Sequence, residues 1–598
     1  MAKQPGLEEY SALWTAIHIA FGDFAERQFA LTGEKRFIRA ARWAYSTPLK
    51  KSTIWKADLG TRCICAARLG ELYCEHGSDL EMPALELARA IHDAYWDVLG
   101  ANERLYQRSP FRESRERLQA RVNLAVARII ELCVYLAERS ETESANWRQE
   151  AFMIAENGKS RMLREELALA ERFPPPEIPP ALCDAEKERL SRLHKIYAEL
   201  AAHRRDMIDQ SLLDEFDTER NELRLDLEQI WAEMEDWGDA ARAYVSVRRD
   251  EAIQWGELQW DMFQRVAERL GERVALISIS RLPEAVFLSV LRAGWEAPEV
   301  RIVFLPRERL LRCLHVYDVE ILNRFSHPPT NEWQGLGEAL FAPLEPLLAD
   351  VDLVYFFPHG PFHQLPLHAL TVNGKPFIER WAVAYAPSVS VLESTLSRPK
   401  HEGTVLVMGY APPDDPRKRL TKLILKEASE VATYFHTLPV PPEDANAEML
   451  RKHGESARLI HLSCHGKFDH QDPLNSGIKL ADGRFNARDW LRLRLRADLV
   501  TLSACQTGIS DIRPGDDLVG LMRAILFAGS SSLLMTLWSV DAPTTRDWML
   551  EFYRNIWSED GRQIADKATA FRNATLELRK NHADPYFWAP FVLVGNFQ

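Results

Sequence analysis

Two stretches of this 598-residue chain run through apolar residues and stop at a reactive side chain followed by a glycine turn. The first, LIHLSCHG, ends in Cys464, His465 and Gly466; the second, LVTLSACQTG, carries Cys505 three residues before Gly508. A thiol is a poor nucleophile until it loses its proton, and an imidazole within reach can take that proton and later return it to a leaving amine. Glycines after both residues permit sharp turns and the close approach of a substrate backbone. His465 is therefore the candidate base and Cys505 the candidate nucleophile of an acyl-transfer reaction. The backbone N–H groups of Gly466 and Cys505 are the candidate donors to the oxyanion. Either residue alone reads as a buried histidine or a buried thiol at a strand end; the pair in this setting is what points to chemistry.

Other clusters are weaker. His461, Cys464 and His465 are a metal-like set, but side chains alternate along a strand, so Cys464 faces away from the two histidines. His461 is expected against the core or a hydrogen-bond partner, and Cys464 is expected to be a small buried hydrophobe. Cys63, Cys65, Cys74 and His76 match no standard zinc spacing and read as core packing. No metal and no cofactor are expected. His359 and His363 flank a Gly-Pro pair and read as a structural turn. Asp469, Asp472, Asp516 and Asp517 lie near the candidate dyad and are candidates for holding a basic substrate side chain. Asp516 also stands before DLVGLMRAILFAG, where capping a helix explains it.

The dyad needs a scaffold that brings two distant strand ends together. From about residue 271 to 598, near-continuous apolar runs such as DLVYFFP, GTVLVMGY, ARLIHLSC, DLVTLSAC and SSLLMTLW alternate with helical patterns. Strands buried on both faces read this way, and the alternation predicts an α/β domain with a mostly parallel sheet. Ligands collect outside the carboxyl ends of such strands. FNARDWLRLRL supplies a crossover helix with Asn486 as its N-cap, which makes the two strands parallel neighbours and brings His465 and Cys505 out on one edge.

Upstream the period is helical. Residues 1–172 read as pairs of amphipathic helices, a tetratricopeptide-like hairpin array without a strict 34-residue repeat. The prolines of FPPPEIPP (173–180) punctuate the chain. Two long charged helices, 181–210 and 213–270, follow as an antiparallel hairpin or kinked arm. The expected organisation is thus multidomain: 1–172 array, 173–270 arm, 271–598 α/β domain.

A net charge of -13 argues against direct nucleic-acid binding. The eight cysteines are sparse and lack staple-like spacing, as in a reducing compartment. The start lacks a signal-peptide layout and no apolar run spans a bilayer, so a cytoplasmic address without membrane contact is expected.

LIHLSCHG followed by DLVTLSACQTG resembles the CHAT family of caspase-like cysteine peptidases, often found behind tetratricopeptide arrays. FFPHGPFHQLPLHAL, DDLVGLMRAILFAGSSSLLMTLWSVD and DPYFWAPFVLVGN resemble further segments of that family, and EAFMIAENGKSRMLREEL resembles the last array helix of such proteins. The resemblance implies a caspase-haemoglobinase-like fold, His465 as base, Cys505 as nucleophile, and an oxyanion hole at Gly466 and the Cys505 amide. It further implies a protein partner or substrate and a setting in bacterial defence or programmed death; the architecture itself, a large array ahead of a peptidase, leads us to expect a protein activator or regulator, or another signal, bound at the helical array. Cys505 sits in Ser-Ala-Cys-Gln-Thr-Gly and not in the caspase Gln-Ala-Cys-x-Gly, so a caspase preference for aspartate is not carried over. An inactive scaffold of the same fold and a cysteine hydrolase acting on a non-peptide acyl bond are the rival readings.

Overall fold

The computed structural model describes residues 7–49, 59–108, 112–159, 174, 177–202, 210–238, 241–242, 244–245, 260–319, 330–400, 402–415, 418–467, 475–503, 511–513, 517–519, 521–538, 542–557 and 565–598. The chain divides into two compact units. One comprises residues 1–158, 185–230 and 253–258; the other comprises 159–184, 231–252 and 259–598.

The first unit is helical. Helices α1 (Leu7–Thr32), α2 (Lys35–Ser46), α3 (Leu59–His76), α4 (Ala84–Arg108), α5 (Arg112–Ala137) and α6 (Ser144–Asn157) follow one another, each packed on its neighbour in sequence. In α2 the apolar stripe is Ile38, Ala41, Ala44 and Tyr45, spaced to fall on one face and all buried. Tyr45 reaches back to α1, where its hydroxyl donates to Asp23 at 2.7 Å. Helices α7 (Pro180–Ala202) and α8 (Gln210–Glu235) follow, with residues 185–202 and 210–230 in this unit, and side chains pair between them in antiparallel order. Arg192 clamps Glu219 with two bonds of 2.5 and 2.8 Å, and Arg189 approaches Asp226. The second arm is shorter than the charge pattern predicts. It stops at Glu235, a turn follows, and Gly238 adopts φ +119°, a conformation that ends a helix and that glycine accepts without strain.

The second unit is built on a ten-stranded sheet. Its strands are β1 (Val274–Arg281), β2 (Ala285–Arg292), β3 (Glu299–Phe304), β4 (Leu353–Phe357), β7 (Ala382–Tyr385), β8 (Thr404–Tyr410), β9 (Ala457–Cys464), β13 (Leu499–Ser503), β16 (Ser532–Thr536) and β17 (Phe591–Gly595), in the order β3-β2-β1-β4-β7-β17-β16-β13-β9-β8. Three ladders, β1–β2, β2–β3 and β16–β17, are antiparallel, and the rest are parallel. The remaining strands form small antiparallel pieces: β5 (Thr371–Val372) with β6 (Lys375–Pro376), β10 (Gly466–Lys467) with β11 (Gly477–Leu480) and β12 (Gly483–Asn486), and β14 (Asp511–Arg513) with β15 (Asp517–Val519). Among the described residues, the unit also holds helices α9 (Trp260–Leu270), α10 (Arg307–Val319), α11 (Thr330–Phe341), α12 (Val389–Leu396), α13 (Lys418–Tyr434), α14 (Ala447–His453), α15 (Ala487–Trp490), α16 (Leu521–Ala528), α17 (Ala542–Ile556), α18 (Lys567–Asn581) and α19 (Pro585–Trp588). Central strands such as β4, β13 and β16 are buried along their whole length, which is why they read as unbroken apolar runs.

Two local expectations change. The crossover after β9 is a three-stranded antiparallel sheet closed by a single helical turn, α15, in place of a full helix. Asn486 does cap that turn, and a capping box with Asp489 holds it. The helix expected from Asp516 starts only at Leu521, because Asp517–Val519 pair with Asp511–Arg513 as a hairpin.

Candidate active site

β9 and β13 lie side by side and parallel, with Leu462 opposite Leu502 and Ser463 opposite Ser503. Parallel neighbours are about 4.8 Å apart. His465 follows Ser463 by two residues, as Cys505 follows Ser503 by two. Cys505 lies outside the described residues, as do Asp469, Asp472 and Asp516. Asp517 is the first residue of β15, in register with Arg513.

His465 leaves the carboxyl end of β9 just before β10. Its carbonyl accepts a 2.7 Å bond from the Lys479 N–H. That bond flanks the Gly466–Ile478 pair and makes it a non-hydrogen-bonded pair of the ladder, so the Gly466 N–H points away from β11. The imidazole is mostly enclosed, and its Nε2 lies 2.8 Å from Oδ2 of Asp415, whose side chain is 5% exposed. With its proton on Nε2 the imidazole faces this carboxylate, and Nδ1 is then the nitrogen that can accept a proton.

Asp415 is the residue that sequence reasoning missed. It follows β8, the edge strand next to β9, in YAPPDDP, and its N–H closes a 3.0 Å turn onto the Pro412 carbonyl. The available signal was its place: a carboxylate in the loop at the carboxyl end of the strand neighbouring the histidine strand.

Beneath the site a second histidine does structural work. His461 is fully buried, and its Nδ1 lies 2.9 Å from the Tyr553 hydroxyl of α17, which is also 2.9 Å from Thr501 Oγ1 on β13. Nε2 of His461 is 3.2 Å from Glu427 on α13, but off the line of a hydrogen bond. Burial pushes the Tyr553 hydroxyl far up from its ordinary pKa, so it stays protonated. This cluster ties α17 to the two strands that carry the candidate dyad. Cys464 is buried, as expected.

The two histidines of the Gly-Pro turn sit at the other half of the sheet. Gly360–Gln364 form a 3₁₀ turn, and His359 Nδ1 accepts the Arg281 N–H at 3.0 Å. In the helical unit Cys65 is buried and Cys74 exposed. Among the described residues, no helix is long and apolar enough to cross a membrane.

Residues 331–596 match the model of the CHAT domain family. Tetratricopeptide repeat protein 28 of Mus musculus is 32% identical over 113 residues, 18% of this chain and 4% of that protein. The Homo sapiens protein of the same name is 27% identical over 132 residues, 21% of this chain and 5% of that protein. The chain thus spans only a small part of these curated relatives. Two crystal structures of the Saccharomyces cerevisiae separase–securin complex, at 2.6 and 3.0 Å, align over 98% and 99% of this chain and 54% of theirs, at 12% identity and TM-scores of 0.38 and 0.40. With its helix-rich first unit and its α/β second unit, the chain is a multidomain protein whose residues 331–596 are similar to the CHAT domain family.

Proposed function

We propose that the chain is a cysteine endopeptidase in which His465 and Cys505 act as a dyad and Asp415 orients the histidine. The observation that carries this reading is the His465–Asp415 contact at the carboxyl end of β9, beside a strand whose matching end leads to Cys505.

The chemistry runs as follows. Nδ1 of His465 takes the Cys505 thiol proton, and the thiolate adds to the carbonyl carbon of the scissile peptide. The N–H groups of Gly466 and Cys505 receive the developing oxyanion. The Asp415 carboxylate stabilises the imidazolium and holds its tautomer. The imidazolium then protonates the leaving amine, the C–N bond breaks, and a thioester to Cys505 remains. Water, deprotonated by the same imidazole, hydrolyses the thioester and restores the thiol.

The helical unit fits a docking role. Hairpin arrays present extended surfaces to protein partners, and a bound partner that controls the dyad is a natural restraint on an intracellular peptidase. The test is labelling of Cys505 by an electrophilic peptide, with a peptide-library digest alongside. Sequence-dependent cuts that vanish in Cys505→Ala and in His465→Ala support the proposal. Cuts that persist in Cys505→Ala reject it, and an active thiol that cleaves only non-peptide acyl bonds rejects the endopeptidase assignment.

A further inference from the structure

The helical unit holds a second cluster of reactive side chains, far in sequence from the dyad. His92 of α4, Cys133 of α5 and Glu150 of α6 turn inward from three successive helices, and their ligand atoms all lie within 4.8 Å of one another. His92 and Cys133 are buried and Glu150 is mostly so.

We propose that these three side chains form a zinc site that pins α4, α5 and α6 together. The donor set is an imidazole nitrogen, a thiolate sulfur and a carboxylate oxygen, the types that bind Zn²⁺ tetrahedrally, with a fourth position for water. Two further contacts have the form of an outer shell. Nδ1 of His92 faces the Asp93 carboxylate at 3.1 Å, while Nε2 faces Glu150 at 2.9 Å. A ligating histidine characteristically donates its other ring N–H to a carboxylate in this way. The indole N–H of Trp96 is shared between the same Glu150 oxygen at 2.5 Å and His92 Nε2 at 3.0 Å, so metal binding at Nε2 requires it to turn wholly to Glu150, as ligating carboxylates are held. The Trp147 ring meets the His92 ring edge to face and limits its rotation.

Charge points the same way. A dication in the middle compensates a thiolate and a carboxylate together. Binding displaces the thiol proton and any proton on Nε2 of His92 to solvent. Tetrahedral donors around zinc stand about 3.4 Å apart, so the 2.9 Å His92–Glu150 pair opens slightly and Cys133 closes. The three residues are spread over 59 positions of sequence, which is why no spacing motif announces them.

The test uses the full-length chain carrying Cys505→Ala, so that the candidate dyad thiol offers no ligand. Under reducing conditions, Zn²⁺ is added, excess is removed by desalting, and bound metal is measured by mass spectrometry. One zinc per chain is expected, with loss of that zinc on adding Cys133→Ala and retention on adding Cys464→Ala. Asp93→Ala is expected to weaken binding by about 10- to 100-fold. Co²⁺ in place of Zn²⁺ should give a thiolate-to-cobalt charge-transfer band and tetrahedral ligand-field bands, a readout that does not require the cysteine variant to fold. No stoichiometric zinc, zinc retained in Cys133→Ala, or a cobalt spectrum without the sulfur band would each overturn the site.

Discussion

Asp415 Oδ2 and His465 Nε2 stand 2.8 Å apart at the ends of adjacent parallel strands, with the carboxylate almost wholly shielded from water. Shielding strengthens the charge-assisted bond and commits the imidazole to one tautomer.

That geometry makes Asp415→Asn the sharpest single test of a positioning role. The amide keeps the volume but removes the charge that stabilises an imidazolium, and it can present an N–H to Nε2 and reverse the tautomer. The expected loss is about 10²–10⁴-fold in kcat with little change in KM. The rate of Cys505 alkylation as a function of pH gives a second readout: in Asp415→Asn the rise in reactivity should move to higher pH. Unchanged kcat and an unchanged alkylation profile would remove Asp415 from the mechanism.

The strands around this site were legible because burial on both faces writes itself as an unbroken apolar run. β9, β13 and β16 fall where LIHLSC, LVTLS and SLLMT place them. Their order across the sheet was less legible. β17, the last strand, inserts between β7 and β16 and runs antiparallel to β16, and pairings over such separations leave no mark on local pattern. Tyr355 shows the long-range cost of this arrangement: its hydroxyl donates to the Gly595 carbonyl at 2.8 Å and accepts the Phe597 N–H, some 240 residues away. Asp415 was missed for a related reason. PPDDP reads as a turn whatever its carboxylates touch, and only the sheet order brings it to His465.

Tyr553 supports the dyad strands from below, so Tyr553→Phe separates support from chemistry. The ring stays and the hydroxyl goes, leaving His461 Nδ1 and Thr501 Oγ1 without that partner in a dry core. A loss of about 1–3 kcal/mol in stability is expected. Chemical denaturation of wild type and variant measures it, and a change within a few tenths of a kcal/mol would show that the cluster rearranges around a water or a new partner.

His368 makes a pH prediction. It is fully buried in the turn after β4, Nδ1 is 2.8 Å from the Tyr385 hydroxyl, and Nε2 has no hydrogen-bond partner among the described residues. Burial pulls its pKa down from 6.5 to about 3. The sign follows from which state takes up the proton. Above pH 6.5 neither state is protonated and the histidine leaves stability unchanged with pH. As pH falls from 6.5 towards 3 the unfolded chain binds a proton that the folded chain refuses, so stability falls by up to about 1.4 kcal/mol per pH unit, an upper bound of roughly 5 kcal/mol. His368→Gln does not titrate, and its stability should therefore fall less steeply over that window. Parallel acid limbs for wild type and variant would show that His368 becomes protonated without unfolding.

Lys159 is a buried charge of the second unit. Its side chain is fully buried, and the ammonium donates to Ser278 Oγ on β1 and to the Phe357 carbonyl at the end of β4, both at 2.7 Å. The two acceptors belong to adjacent parallel strands, with Ser278 and Phe357 in register, so one side chain bridges their ends. Lys159→Met keeps the length and apolar stem but leaves the Phe357 carbonyl without this donor. Bonds to a charged group contribute about 1.5–3 kcal/mol each, offset in part because the variant no longer buries an ammonium, so a net loss of about 3 kcal/mol is expected. Lys159→Arg should not rescue, because a planar fork cannot take the place of a compact ammonium in a closed site. Equal denaturation midpoints for wild type and Lys159→Met would mean that burying the ammonium costs as much as its bonds return, and the bridge would then contribute strand alignment without net stability.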